Sequence, residues 1–127
     1  MTMQWTAWTT LAVLAVYLWV IFNAGRAREH HKVAAPSMDG PLAFQSAQRV
    51  HANTVEQLVM LLPALWLCAY FLGDRWAAAG GALWIVGRVM YALGYYQDPS
   101  KRGAGFGINL LAVVALMLGT AVGLMLH

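Results

Sequence analysis

The hydrophobic and polar positions of this chain are segregated rather than interleaved: four long apolar runs are separated by short polar stretches. Crossing a hydrocarbon core of about 30 Å takes about 20 helical residues. Trp5–Asn23, Ala47–Leu72, Trp76–Tyr96 and Gly105–Leu126 each meet that length. The pattern predicts an all-α integral membrane protein with four spans, residues 1–127 forming a single domain. The first and last runs are clean, whereas the second and third carry polar residues inside them.

The connections set the topology. A long polar one runs from Ala24 to Ser46, a very short one covers Gly73–Arg75, and "QDPSKRG" covers Gln97–Gly103. Pro99 removes a backbone donor and pushes Asp98 out of helical geometry, so the third helix ends there. Short links make sequential helices antiparallel neighbours, which predicts an up-down four-helix bundle.

Composition agrees with this reading. Of the 127 residues 61% are hydrophobic and 10% charged, against about a quarter charged in an ordinary soluble domain. The net charge of +3 is modest and no basic cluster stands out, so nucleic acid is not an expected partner. The apolar N-terminal run has no positive stretch before it and no small-residue cleavage site after it; "FNAGRAREHHK" follows instead, so it reads as a retained span.

Charge also orients the bundle. Arg26, Arg28, Lys32, Lys101 and Arg102 lie on the first and third connections, with Arg49 at the border, and Arg75 stands alone on the other side. The positive-inside rule then places both polar connections in the cytoplasm and both termini, Met1 and His127, outside. Trp5, Trp8 and Trp76 fall where an outer interfacial belt would sit.

Several features take a packing reading. Gly80, Gly87 and Gly94 recur every seven residues on the third span, and Gly119 and Gly123 form a G-x-x-x-G on the fourth. Small residues let helix backbones approach closely, either within one subunit or between subunits. Cys68 has nothing nearby to lower its pKa and reads as a packing residue. "REHHK" reads as a solvated connection, since the adjacent His30 and His31 point apart on a helix and no third metal ligand is spaced for them. No metal site is expected.

The candidate chemistry lies in "RVHANTVEQL", residues 49–58. At 100° per residue Arg49, Asn53 and Glu56 share one helix face, while His51 points elsewhere. On the third span Arg88, Tyr91 and Tyr95 share a face, and Arg102 opens the fourth at the same depth. An internal ion pair between Glu56 and Arg49 or Arg88 would account for two of these groups. It leaves a surplus of arginines and hydroxyls, with Arg26 or Arg28 nearby. That surplus suits a small anion bearing carboxylates, with Glu56 accepting from an amine.

"RVHANTVEQL" resembles the R-x-H-x-N-x-x-E motif of the MAPEG family, the membrane-associated proteins in eicosanoid and glutathione metabolism. Arg88 to Tyr95 also fits the R-x-x-Y-x-x-G-Y pattern on the third span. Nearly the whole chain takes part, in a bacterial-type form that most resembles the microsomal glutathione transferase branch.

The resemblance implies a homotrimer that binds glutathione between subunits near the cytosolic leaflet, with lipophilic substrates and membrane lipid as its other partners. Arg49, Asn53, Glu56, Tyr91 and Tyr95 match the family's glutathione-contacting positions, and His51 matches a motif position. Arg88 and Arg26 join the candidate binding set. Arg102 matches in spacing the arginine that stabilises the thiolate in the leukotriene C4 synthase branch, and its neighbour Lys101 stays open as an alternative because the "QDPSKRG" link is not that of this branch or of the microsomal glutathione transferase branch. Gln57 stands where the leukotriene C4 synthase branch has a tyrosine.

The activity implied is glutathione transfer to lipophilic electrophiles or reduction of lipid hydroperoxides. If the chain is bacterial, this would occur at the inner (cytoplasmic) membrane. A non-catalytic lipid- or glutathione-binding protein of the same family is the near alternative. A small multidrug exporter is the distant one: the key glutamate of such exporters lies in the first span, which here has no charge between Met1 and Gly25.

Overall fold

A computed structural model describes residues 2–127; the Met1 end of the orientation expectation lies outside them. The described residues form four long helices, α1 (Gln4–His31), α2 (Leu42–Phe71), α3 (Asp74–Gln97) and α4 (Gly103–Met125), with a 3-10 turn at Pro99–Arg102 leading into α4. Each is long and apolar enough to cross a membrane.

Two helices are longer than the apolar pattern indicates. α1 continues to His31 instead of stopping at Asn23, and α2 begins at Leu42 instead of Ala47. Hydropathy marks where a helix touches lipid, not where it stops being a helix. The polar segment after Asn23 contains the good helix formers Ala24, Ala27, Arg26, Arg28 and Glu29. Arg28, His30 and His31 then place basic groups at the negative end of the dipole. At 1.5 Å per residue α1 and α2 extend about 42 and 45 Å, so both project beyond an apolar core of about 30 Å. The first connection shrinks accordingly to the segment between Lys32 and Pro41.

The ends of the helices establish the up-down order. Asp74 at the start of α3 bonds to the start of α1 through Thr6, so these two helices run parallel. The rings of Phe71 and His127 meet at 6.0 Å, joining the end of α2 to the residues just past α4 at that same end of the bundle. Asn23 donates to the Tyr96 hydroxyl at the other end. α2 and α3 form the central pair, each packed on the other and on both outer helices, while α1 and α4 lie to either side. The turn between α2 and α3 needs Gly73, whose φ of 152° is closed to side-chain-bearing residues.

One core cluster fills the half of the bundle near that turn, around Leu61, Leu65, Trp84, Val113 and Leu116. A smaller one, with Val20, Val50, Tyr91 and Ala92, lies toward the other end. α1 contributes a narrow stripe of Thr6, Val13 and Val20, one residue every second turn. In lipid such contacts gain by dispersion and close fit, because the hydrocarbon outside is as apolar as the core.

The glycines serve contacts inside this one chain. Gly80 faces Leu116, Gly87 faces Ile108, and Gly94 lies against the Lys101 backbone, so the heptad stripe of α3 is a seat for α4 and the turn before it. Gly119 faces Leu72, and Gly123 lies on the Phe71 backbone. Their spacing therefore carries no information on assembly between subunits.

Candidate functional site

Three helical repeats converge at the end of the bundle away from the Gly73 turn. On α2, Ala52 and Asn53 lie three and four residues after Arg49 and four and three before Glu56, so all four share one face. Tyr91 and Tyr95 on α3 are one turn apart, as are Arg102 and Phe106 at the start of α4. Together these eight residues line a cleft of about 430 Å³, within the range of small-ligand sites.

The walls are held in register by aromatic and backbone contacts. Tyr91 packs edge-on to Tyr95 with centroids 5.6 Å apart, and lies 6.4 Å from the Phe106 ring. The Arg102 guanidinium sits 5.8 Å from the Tyr95 ring centre and donates through Nη1 to the Pro99 carbonyl oxygen at 2.9 Å. That carbonyl belongs to the 3-10 turn, which Asp98 caps by accepting from the Ser100 backbone N–H at 3.0 Å. The Ser100 bonds hold the Asp98 carboxyl below the usual carboxylate range. Lys101 turns the other way: its Nζ donates to Gln97 Oε1 at 3.1 Å, and it does not line the cleft.

Gly105 brings α3 and α4 together beside the cleft. A Cβ there would lie 2.6 Å from the Gly87 carbonyl oxygen and from Tyr91 Cα, closer than such atoms approach. Only glycine lets the first turn of α4 rest directly on the α3 backbone.

Three expected site residues are placed elsewhere. His51 is two positions from Asn53, about 200° round the helix, and its ring stacks on Tyr17 at 5.8 Å with an interplanar angle of 8°. Its Nε2 is 3.3 Å from the Tyr17 hydroxyl, linking α1 to α2. Arg26 lines a separate groove of about 440 Å³ with Trp19, Asn23, His30 and Tyr96. Arg88 is fully buried, about 10 Å deeper along α3 than Tyr95. Its Nη1 donates to Asn53 Oδ1 at 2.9 Å and to Thr54 Oγ1 at 3.4 Å, neutral acceptors rather than Glu56.

Ala52 and Phe106 line the cleft without having been expected there. Their signal was positional. Ala52 lies one turn before Glu56, and Phe106 one turn after Arg102. Gln57, one residue beyond Glu56, is buried and accepts from Trp84 Nε1 at 3.3 Å, so it belongs to the core instead.

The lining therefore offers two guanidiniums, one carboxylate, an amide and two phenols, beside the apolar Ala52 and Phe106. Such a donor set can grip two carboxylates through bidentate arginines and accept from an ammonium.

Comparison with known proteins gives the family. The MAPEG family model matches residues 6–122. An uncharacterized protein of Synechocystis is 39% identical over 121 residues, covering 95% of this chain and 88% of its own length. Microsomal glutathione S-transferase 2 of Mus musculus is 36% identical over 104 residues, covering 79% of this chain and 71% of its own. Leukotriene C4 synthase of Cavia porcellus is 28% identical over 120 residues, covering 93% and 80%. With the match spanning all four helices and the cleft between them, the chain belongs to the MAPEG family and is an integral membrane protein.

Proposed function

We propose that this protein is a membrane-bound glutathione transferase with peroxidase capacity, and that the cleft holds glutathione. The observation that carries the reading is the donor set: Arg49 and Arg102 for two carboxylates or a thiolate, and Glu56 for the ammonium, with Asn53, Tyr91 and Tyr95 as neutral hydrogen-bonding groups. Glutathione carries two carboxylates, one ammonium and one thiol: with Arg102 at the thiol, Arg49 pairs with a carboxylate and Glu56 with the ammonium, and Asn53, Tyr91 and Tyr95 remain as neutral partners for the second carboxylate. Relatives named as a microsomal glutathione S-transferase and a leukotriene C4 synthase support the same class.

Arg102 is the group assigned to the thiol. A free thiol is only a few per cent thiolate near pH 7, and a guanidinium that stays protonated beside the sulfur favours the anion, its proton passing to water. In transfer, the thiolate sulfur bonds to the electrophilic carbon of a lipophilic substrate as the leaving group departs. In peroxide reduction, two glutathione thiols give up two electrons and become the disulfide, while a lipid hydroperoxide becomes an alcohol and water. The apolar side of the cleft would receive either substrate from the bilayer.

The cleft is open on one side, and α2 carries a stripe beside it at alternating three- and four-residue steps: Arg49, Ala52, Glu56, Val59, Pro63, Trp66, Tyr70. Val59 is 70% and Tyr70 66% exposed in the single chain. We assign this stripe to contact with two further copies in a homotrimer, which would close the cleft. The cationic excess on the connections at the cleft end supports a cleft on the cytosolic face, at the cytoplasmic membrane if the chain is bacterial. A reporter fused after His127 should then score outside, and a cytoplasmic score would overturn the orientation.

The deciding assay uses purified protein in detergent with glutathione and, separately, an aryl halide and a lipid hydroperoxide. Turnover of either substrate supports the enzyme reading. Glutathione binding without turnover of either would reassign the protein as a non-catalytic binding member of the family.

A further inference from the structure

Arg88 lies behind the cleft without touching its interior. Its side chain is 0% exposed, yet among the described residues its hydrogen bonds run to the neutral oxygens of Asn53 and Thr54. Nε and Nη2 are buried with no hydrogen-bond partner among the described residues. The faces of Tyr91 and Trp84 cover the guanidinium, with centroids 4.3 and 5.5 Å from Cζ. A buried cation without a counter-ion is costly in any fold, and more so within a membrane.

The chemistry of the Asn53 contact fixes more than a distance. A guanidinium has donors and no acceptor, so the Asn53 atom 2.9 Å from Arg88 must be the amide oxygen. The Nδ2 group, with its two hydrogens, is then the end of the amide left for the cleft that Asn53 lines. Asparagine by itself offers either end. Arg88 removes the choice.

We propose that Arg88 is a positioning residue with two linked effects: it fixes Asn53 as a hydrogen-bond donor toward the cleft, and its uncompensated charge makes the bound anion complete the electrostatics of the fold. For the identity of that anion the proposal rests on the glutathione reading. The fold forgoes stability in the empty protein, and the ligand restores it. Tyr91 ties the two parts together, since one of its faces covers the guanidinium while the ring lines the cleft.

The informative substitutions are at Asn53, because truncating Arg88 itself invites misfolding. Asn53→Asp supplies Arg88 with a counter-ion but turns an acceptor toward the cleft in place of a donor. Asn53→Ala removes the inner bond and the outer donor together. Thermal unfolding of each protein without ligand, and calorimetry with glutathione, should separate binding from stability. Both variants should bind at least about tenfold more weakly, a difference of about 1.4 kcal/mol. Asn53→Asp should unfold at a higher temperature than wild type, and Asn53→Ala at a lower one. A merely structural Asn53 would make stability and binding fall together. An Asn53→Asp protein that unfolds at or below the wild-type temperature, or binds glutathione as wild type does, overturns the proposal. The unfolding measurement needs no glutathione, so wild-type protein that fails to bind it would sink the functional reading, while a stabilised Asn53→Asp would still uphold the uncompensated charge.

Discussion

The Asp74 carboxylate, at the first position of α3, closes the open end of α1: it accepts from the Thr6 backbone N–H at 2.8 Å, the Trp5 N–H at 3.0 Å and the Thr6 hydroxyl at 2.7 Å. The first turn of a helix has N–H groups with no partner inside the helix, and no side chain of α1 itself caps them. A carboxylate next to the positive end of the dipole supplies both the acceptor and the favourable charge. Asp74→Ala should lower the unfolding temperature and loosen the start of α1 from α3. Amide exchange at Trp5 and Thr6 should accelerate, and unchanged protection at both would refute the assignment.

Arg102 and Lys101 are neighbours in sequence with different surroundings, so they make a matched pair. If Arg102 lowers the bound thiol pKa by about two units, it contributes about 2.7 kcal/mol to the thiolate. Arg102→Ala should then slow turnover at neutral pH by up to about a hundredfold, less the nucleophilicity regained by a more basic thiolate. Raising the pH should rescue it. Lys101→Ala should titrate as wild type, because its ammonium points to Gln97. Thiolate absorbance followed against pH decides the matter, and an Arg102→Ala protein with the wild-type titration would exclude the role.

The turn that carries Arg102 depends on an ionised Asp98. Its carboxyl is held low by the Ser100 bonds, so its contribution is complete above the ordinary aspartate pKa of about 3.9 and is lost as the pH falls through the lowered folded value. The Ser100 amide resonance should therefore titrate with a midpoint below about 3.9. Asp98→Ala should leave the turn open to trypsin after Lys101 and Arg102 at neutral pH, where wild type resists. A midpoint above the ordinary value would contradict the geometry.

Gln57 is expected to matter for folding and not for the ligand. It is 4% exposed and holds the indole N–H of the fully buried Trp84. Gln57→Leu leaves that donor unpaired, at a cost of about 1–3 kcal/mol. Chemical unfolding followed by tryptophan fluorescence should show the loss, with glutathione affinity unchanged. A selective loss of affinity would place Gln57 in the cleft after all.

The spans and most of the cleft were legible because both depend on periodicity along a single helix. Arg49, Asn53 and Glu56 had to share a face once α2 was a helix, as did Tyr91 and Tyr95. Depth and rotation between helices are not written in any one repeat. Arg88 lies almost directly below Tyr95 on the α3 face, yet at its level α2 has already closed over the gap. Arg26 faces a groove of its own because α1 is turned toward Tyr96 there. His51 sits in the same motif as Asn53, but a two-residue step on a helix reverses direction. The polar extension of α1 escaped for another reason: the apolar run ends where the lipid does, and the hydrogen-bond ladder continues into water.

The contact of Gly105 with the α3 backbone has a bearing on variation in this protein. It spaces the turn carrying Arg102 from the strip carrying Tyr91 and Tyr95, and it does so without using any lining side chain. The aperture is thus set by the scaffold and the lining by separate positions. Substituting Ala52 or Phe106 alters what the cleft prefers to bind while its two walls keep their separation. A drift in ligand preference needs no rebuilding of the bundle, whereas any side chain at Gly105 would shift Arg102 and the tyrosines apart in a single step.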